Sequence, residues 1–265
     1  MTDSTRNLRA MTYNLKHWNA SPPNAWADRR PVCKALIEIS APDVIGTQEG
    51  FYQQLRDMDD DLPGYAWLGL GREGGSHGEF MAVFYRTDRL DPLEYGHYWL
   101  SDTPEVIGSI TWDHGNHRMV TWIRFRDLAA PPGAQDEFYF VNTHFDHAVE
   151  EARRKAALLV VERLGSLDDD LPIVMTGDFN AYAADSEAYR ILVTDGPMRD
   201  TWYDGESTPQ DLSSFHGYKG PREGGRIDWI LTRGDFRGMR SEIITYSEGD
   251  QFPSDHFPIV ADIAV

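Results

Sequence analysis

The chain has 265 residues, 41% hydrophobic and 12% aromatic, enough to bury a substantial core as one large α/β domain or two small ones. Its 25 basic and 43 acidic residues leave a formal charge of −18. Neutralising phosphates with Lys and Arg drives general nucleic-acid binding, so this balance argues against an extended nucleic acid as partner, although one cleft can still be locally positive.

Met1–Arg9 is polar and lacks the apolar stretch of a signal peptide, and no segment approaches the ~20 apolar residues of a bilayer span. A soluble, cytoplasmic protein without membrane partners is expected. Leu8–Leu15 reads as a first strand, and Ala27–Ile39 has helical spacing. That helix holds Cys33, the only cysteine, which excludes an intrachain disulfide and reads as a buried thiol. Ala41-Pro42-Asp43 punctuates the chain before a short strand, Val44–Thr47, and the acidic run Asp57–Asp61 reads as a solvated loop.

Gly71–Gly78 lacks the pattern of a phosphate-binding loop and reads as flexible rim before a strand, Phe80–Tyr85. Met119–Phe125 and Phe138–Thr143 form an adjacent strand pair joined through Pro131-Pro132-Gly133. Val149–Leu164 is the clearest helix, Leu171–Thr176 a strand, and Ser186–Val193 a second modest helix. Ile227–Thr232, Ser241–Tyr246 and Phe257–Val265 complete the strands. No linker rich in Pro, Gly or Ser divides the chain, so residues 1–265 read as a single domain.

Four strands end on, or lie beside, polar motifs: Thr12-Tyr13-Asn14-Leu15, Thr47-Gln48-Glu49, Gly177-Asp178-Phe179-Asn180 and Ser254-Asp255-His256. Side chains at strand ends can converge over one sheet edge. Asn14 and Glu49 offer the hard oxygen ligands that Mg²⁺ or Mn²⁺ prefers, and a histidine beside carboxylates can move or hold a proton. If the strand continues through them, Asp178 and Asn180 both face one cleft.

With Asn142-Thr143-His144 and Arg226-Ile227-Asp228-Trp229 added, the ordered series over residues 13–256 resembles the endonuclease/exonuclease/phosphatase family. The resemblance implies an α/β fold of the α+β type, a four-layer sandwich of two packed mixed β-sheets flanked by helices. It also implies cleavage of a phosphoester with Mg²⁺ or Mn²⁺. On that resemblance Glu49 is the principal metal ligand with Asn14 and Asp255 nearby, and Asp178 orients or deprotonates the attacking water. Asn180 then binds a nonbridging phosphate oxygen or a second metal, and His256, fixed by Asp228, stabilises the phosphorane. His144 serves as general acid, and Glu79 matches the position of its glutamate partner in the deoxyribonuclease-like branch.

Arg118, opening a strand, is a candidate phosphate contact, and His216 in Ser-Phe-His-Gly-Tyr a candidate for phosphate or leaving group. His114 and His147 read as solvated loop residues. Trp18, Trp26, Trp112 and Trp202 fall in expected loops, where they can stack on bases or sugars or cover core. The loops 71–78, 101–117 and 201–225 are the expected specificity elements.

The expected function is metal-dependent hydrolysis of a small or short phosphoester by in-line water attack. Three alternatives stand beside it: a nuclease on DNA or RNA, a metal-dependent hydrolase of a nonphosphate carbohydrate, and a non-catalytic binding module. Oligomeric state is not legible.

Overall fold

A computed structural model describes residues 7–207 and 211–264. The strands are β1 (Asn7–Asn14), β2 (Val44–Gln48), β3 (Gly50–Phe51), β4 (Tyr65–Leu68), β5 (Glu79–Phe80), β6 (Val83–Arg86), β7 (Leu90–Trp99) and β8 (Met119–Asp127). They continue with β9 (Glu137–His144), β10 (Ile173–Asp178), β11 (Arg199–Asp200), β12 (Glu206–Ser207), β13 (Asp228–Arg233), β14 (Arg237–Ile243) and β15 (Ile259–Ala264). The first sheet runs β12-β14-β15-β1-β2-β6-β4 and the second β11-β13-β10-β9-β8-β7. Both are mixed: β1 pairs parallel with β2 and antiparallel with β15, and β10 pairs parallel with β9 and antiparallel with β13.

Alternation along the strands builds the layers. Leu8, Ala10, Val44, Phe138, Phe140, Val174 and Ile230 pack between the two sheets. Met11, Tyr13, Ile45 and Phe84 point the other way and meet Cys33, Leu36 and Leu55 on the helices α1 (Trp26–Ser40) and α2 (Tyr52–Asp61). Val141, Ile173, Met175 and Leu231 meet Ala156, Val160 and Leu164 of α3 (Glu150–Leu164). The order helix, sheet, sheet, helix is the expected sandwich.

Several elements differ from the sequence expectation. Asp57–Asp61 is not a loop but the end of α2, because Leu55 and Met58 bury at helical spacing. Its acids have partners on α1: Trp26 Nε1 donates to Asp57 at 2.7 Å and Arg30 Nε to Asp61 at 2.7 Å. Strand β7 is long yet escaped notice because Pro92 and Gly96 interrupt its pattern; as an edge strand it tolerates both, with an irregular register between Pro92 and Glu94. The expected strand Phe80–Tyr85 is two strands, β5 and β6. The helix expected over Ser186–Val193 becomes α4 (Glu187–Tyr189) followed by a π-turn, Arg190–Thr194.

Trp26, Trp112 and Trp202 are buried, Trp26 within α1 and Trp202 in α5 (Thr201–Asp204), while Trp18 is exposed. Val265 of the last expected strand, and residues 208–210 of one expected specificity loop, lie outside the described residues. Among the described residues, no helix is long and apolar enough to cross a membrane.

Candidate active site

The parity that sends Leu8, Ala10 and Thr12 between the sheets carries on to Asn14, and likewise to Gln48, His144, Asp178 and Asp228. Register aligns three of them in one row, since Asp178 pairs with His144 on one side and Asp228 on the other. Beneath them lies a buried polar layer. Gln48 Nε2 donates to Asn142 Oδ1 at 2.8 Å and Thr12 Oγ1 at 3.2 Å, and Asn142 Nδ2 donates to the Thr47 carbonyl at 2.8 Å. This layer separates the apolar core from a cleft of about 420 Å³ at the sheet ends.

Three cleft residues that are not glycine hold left-handed backbone: Lys16 (φ 54°), Glu49 (φ 62°) and Asn180 (φ 48°). Such conformations persist where surroundings over-determine them, and they concentrate at functional sites. Arg29, fully buried on α1, supplies part of that restraint. Its guanidinium donates to the carbonyls of Leu15, Lys16, His17 and Pro253, tying the turn after β1 to the segment before His256.

The Asn14 amide NH2 lies between two carboxylates, donating to Glu49 Oε1 at 3.1 Å and Asp178 Oδ2 at 2.9 Å. Its oxygen accepts from the Lys16 backbone N–H at 3.0 Å. Carboxylates only accept, so the amide turns its donors to them and holds them side by side. Burial alone would raise the Glu49 carboxyl, but His17, His144, Lys16 and Asn14 together hold it well below its usual range. Lys16 Nζ stands 3.8 Å from Glu49 and 3.3 Å from Asp255.

His256 Nδ1 meets Asp228 Oδ2 at 3.0 Å, and its Nε2 lies 3.8 Å from Asp178 Oδ2. Burial pulls this imidazole's pKa down, yet Asp228 and Asp178 outweigh it and hold the ring protonated, up to about 10. Burial and the neighbouring Asp228 push the Asp178 carboxyl upward. His144 goes the opposite way: burial and then Arg118 keep it neutral, well below the usual histidine range.

The strand ends at Asp178 and does not continue through Asn180, yet both side chains line the cleft. Asp178 Oδ1 accepts the Asn180 N–H at 2.9 Å and turns the chain, so the Asn180 amide contacts the Phe145 carbonyl and His144 Nε2, each at 3.0 Å.

Glu79 lines the cleft but does not pair with His144. Arg72 Nη1 takes its carboxylate at 2.6 Å from the preceding turn, and His144 Nδ1 is buried without a partner. That turn is no flexible rim; backbone bonds such as Gly71 N–H to Gly75 O at 2.9 Å and Arg72 N–H to Glu79 O at 2.9 Å close it.

His216 is excluded from the cleft. Phe215 bridges His256, so alternation sends Phe215 to the cleft and His216 inward, where its ring stacks 3.9 Å from that of Phe257. Burial lowers the His216 pKa to about 4. His114 is buried rather than solvated, its Nδ1 on the Asn116 carbonyl at 2.6 Å, while His147 is exposed at the cleft wall.

Arg118 is 4% exposed and lines the cleft, so it is no ordinary surface arginine. One nitrogen, Nη2, reaches His147 Nδ1 at 3.3 Å, and Nε stands 3.7 Å from Asp146. Both Nε and Nη1 are buried without a hydrogen-bond partner among the described residues.

The sequence profile of the Endonuclease/Exonuclease/phosphatase family matches residues 11–256, from β1 to His256. The chain belongs to this family. Members of the family are hydrolases, and the two packed sheets here match its fold. A family protein of Bacteroides thetaiotaomicron superposes with a TM-score of 0.89 at 33% identity, over 97% of this chain and 98% of that one. The mannosyl-6-phosphatase of Bacteroides thetaiotaomicron VPI-5482 superposes with a TM-score of 0.88 at 33% identity, over 97% and 100%. An uncharacterised protein of Acanthamoeba polyphaga mimivirus is 31% identical over 164 residues, which is 58% of this chain and 59% of that curated relative's length.

The family's divalent cation fits the donor set. Glu49 is ionised and held in strained backbone, and the Lys16 ammonium stands between it and Asp255, so these oxygens already share a positive charge. Glu49, His144 and Asp178 also bring donor atoms within 4.8 Å of one another. The sequence reasoning missed Lys16, His17, Arg72, Asn116 and Phe215, which line this family cleft. Lys16 and His17 directly follow the Asn14 motif, and that adjacency was the available signal. Arg72, Asn116 and Phe215 fall in the loops 71–78, 101–117 and 201–225 expected to set specificity, where no pattern singled out one residue.

Proposed function

We propose that this protein is a divalent-metal-dependent phosphatase that removes the phosphoryl group from a small sugar phosphate. The observation that carries this reading is Arg118: a buried guanidinium in the cleft wall whose Nε and Nη1 have no hydrogen-bond partner among the described residues. A buried cation with unused donors calls for an anion, and an arginine fork suits the oxygens of a phosphate. The likeness to a mannosyl-6-phosphatase over nearly the whole of both chains supports a sugar phosphate. The chain's charge of −18 disfavours long polyanions.

Glu49 and Asp255 would hold the cation, Mg²⁺ or Mn²⁺, which would supply Lewis-acid polarisation of the phosphoryl group. Arg118 and protonated His256 hold nonbridging oxygens and stabilise the charge that builds on them. Asp178, a carboxylate pushed toward higher proton affinity, takes the proton of the attacking water, and the departing sugar oxygen takes its proton from solvent. Asn14 and the Asn180 N–H keep that carboxylate aimed. His144 is neutral and accepts from Asn180 through Nε2, so it orients the Asp178–Asn180 turn instead of serving as general acid.

The test is a metal-dependent screen of hexose 6-phosphates, para-nitrophenyl phosphate, bis-para-nitrophenyl phosphate and short oligonucleotides, with Arg118→Ala alongside. Release of phosphate from the sugar phosphates, with KM raised in Arg118→Ala, is the expected result. Cleavage of oligonucleotides with no phosphate released from the sugars would overturn the proposal in favour of a nuclease.

A further inference from the structure

A second pocket, about 400 Å³, opens on the outer face of the second sheet and shares no lining residue with the catalytic cleft. Strand parity separates the two. Tyr139 and Val141 face outward toward α3, whereas Phe138, Phe140 and, at the strand end, His144 face inward. Helix α3 ends at Leu164 before covering the edge strand β7, and the pocket lies in that gap.

Its walls are aromatic. Trp122 lies against the β7 backbone at Gly96, where an added Cβ would stand 2.8 Å from the indole, so only glycine admits the ring there. Tyr139 meets Trp122 edge-on with centroids 6.0 Å apart, and Tyr98 carries the Arg163 guanidinium 5.6 Å above its ring. Polar groups crowd the same space. Arg163 Nη2 pairs with Glu105 at 2.6 Å, while Arg163 Nε is buried without a hydrogen-bond partner among the described residues. Glu94 and His97 complete the rim, His97 with Nδ1 on Thr121 Oγ1 at 3.0 Å.

We infer that this pocket binds one pyranose ring of a neutral glycan. Aromatic faces match the C–H face of a pyranose, and an arginine–glutamate pair offers donor and acceptor together to vicinal hydroxyls. Two carboxylates at the rim disfavour a phosphate or another anion, and the unpartnered Arg163 Nε disfavours a wholly apolar ligand. Pockets that combine aromatic walls, a few convergent polar groups and this volume are those that take small ligands. The inference stands apart from the proposed phosphatase activity, because it uses other residues on another face.

Saturation-transfer NMR with neutral disaccharides (mannobiose, cellobiose and lactose) tests it on the full chain. Transfer to at least one sugar is expected in the wild type and in Glu49→Gln, whose change lies in the catalytic cleft. Trp122→Ala and Arg163→Met should each weaken that binding by about tenfold, the scale of one aromatic or charged contact. Circular dichroism and unchanged turnover of para-nitrophenyl phosphate then establish that both variants are folded. No transfer to any of the sugars overturns the inference, as does equal transfer in folded Trp122→Ala. Loss of transfer on adding inorganic phosphate would assign the sugar to the catalytic cleft and overturn it as well. Phosphate release is read separately, so failure of the sugar site and failure of the phosphatase proposal remain distinguishable.

Discussion

Nδ1 of His256 lies 3.0 Å from Oδ2 of Asp228, both residues buried, and this contact fixes which ring nitrogen faces the cleft. The carboxylate also keeps the ring protonated against the cost of burial. Asp228→Asn removes that charge while preserving shape, and burial then favours the neutral ring. We expect kcat to fall by about 10²-fold or more, the range for losing one group that stabilises the developing charge, with KM within about twofold of wild type. Steady-state kinetics on para-nitrophenyl phosphate decide it, and an unchanged kcat would remove His256 from the chemistry.

In the proposed function Glu49 is the carboxylate on which cation binding rests. Mg²⁺ or Mn²⁺ at about a hundred times its dissociation constant should stabilise the wild type by roughly 2.7 kcal/mol. In Glu49→Gln the same cation should leave the melting temperature where it was. Thermal melts with and without metal read both, and an equal shift in the variant would place the cation elsewhere.

Gly46 sits where the two sheets approach through the polar layer. A Cβ there would stand 2.0 Å from Thr176 Oγ1 and 2.6 Å from Asn142 Oδ1. Gly46→Ala should therefore cost about 3 kcal/mol, the upper part of the overpacking range, and loosen the layer beneath the cleft. Urea unfolding measures the loss; a variant as stable as wild type would contradict the close approach of the sheets.

Cys33 is buried on α1, and burial pushes its thiol up to about 12 despite the opposing effects of the neighbouring Tyr13 and Arg29. The folded pKa exceeds the unfolded value of about 8.5, so the native state binds the extra proton. The associated stability is complete below about pH 8.5 and is lost as pH rises toward 12. Stability should therefore fall more steeply between about pH 8.5 and 10.5 in the wild type than in Cys33→Ala. A thiol reagent at pH 8 should find no reactive sulfur in the folded protein and one equivalent after denaturation; rapid native labelling would show the thiol to be accessible.

Much of the site was legible because strand-end motifs combine a period-two pattern with short, chemically distinctive residues. Asn14, Glu49, His144, Asp178, Asp228, Asp255 and His256 could all be named from order and residue type, and the sheets gather them at one edge. The Glu79 partnership was misread because Arg72, seven residues earlier, reaches the same carboxylate through a turn whose geometry leaves no mark in composition. His216 was misread for a simpler reason: in the Phe215–His256 bridge one residue of register decides which ring sees the cleft and which joins the core. The acidic end of α2 hid its helix, since its charges are answered by Arg30 and Trp26 on a neighbouring element.

Local alternation of apolar and polar residues was enough to find most strands and helices, and the ordered motifs carried the resemblance that implied the family, its two sheets and the residue types at the centre, because these signals lie in neighbours in sequence. Pairing depends on neighbours in space. Only the folded chain decided that Asn14 turns its NH2 to two carboxylates, that Arg118 is buried with unused donors, and that Gly96 lets Trp122 wall a second pocket. Each of those outcomes is set by which side chain arrives within hydrogen-bond or van der Waals reach, a distance no single strand contains.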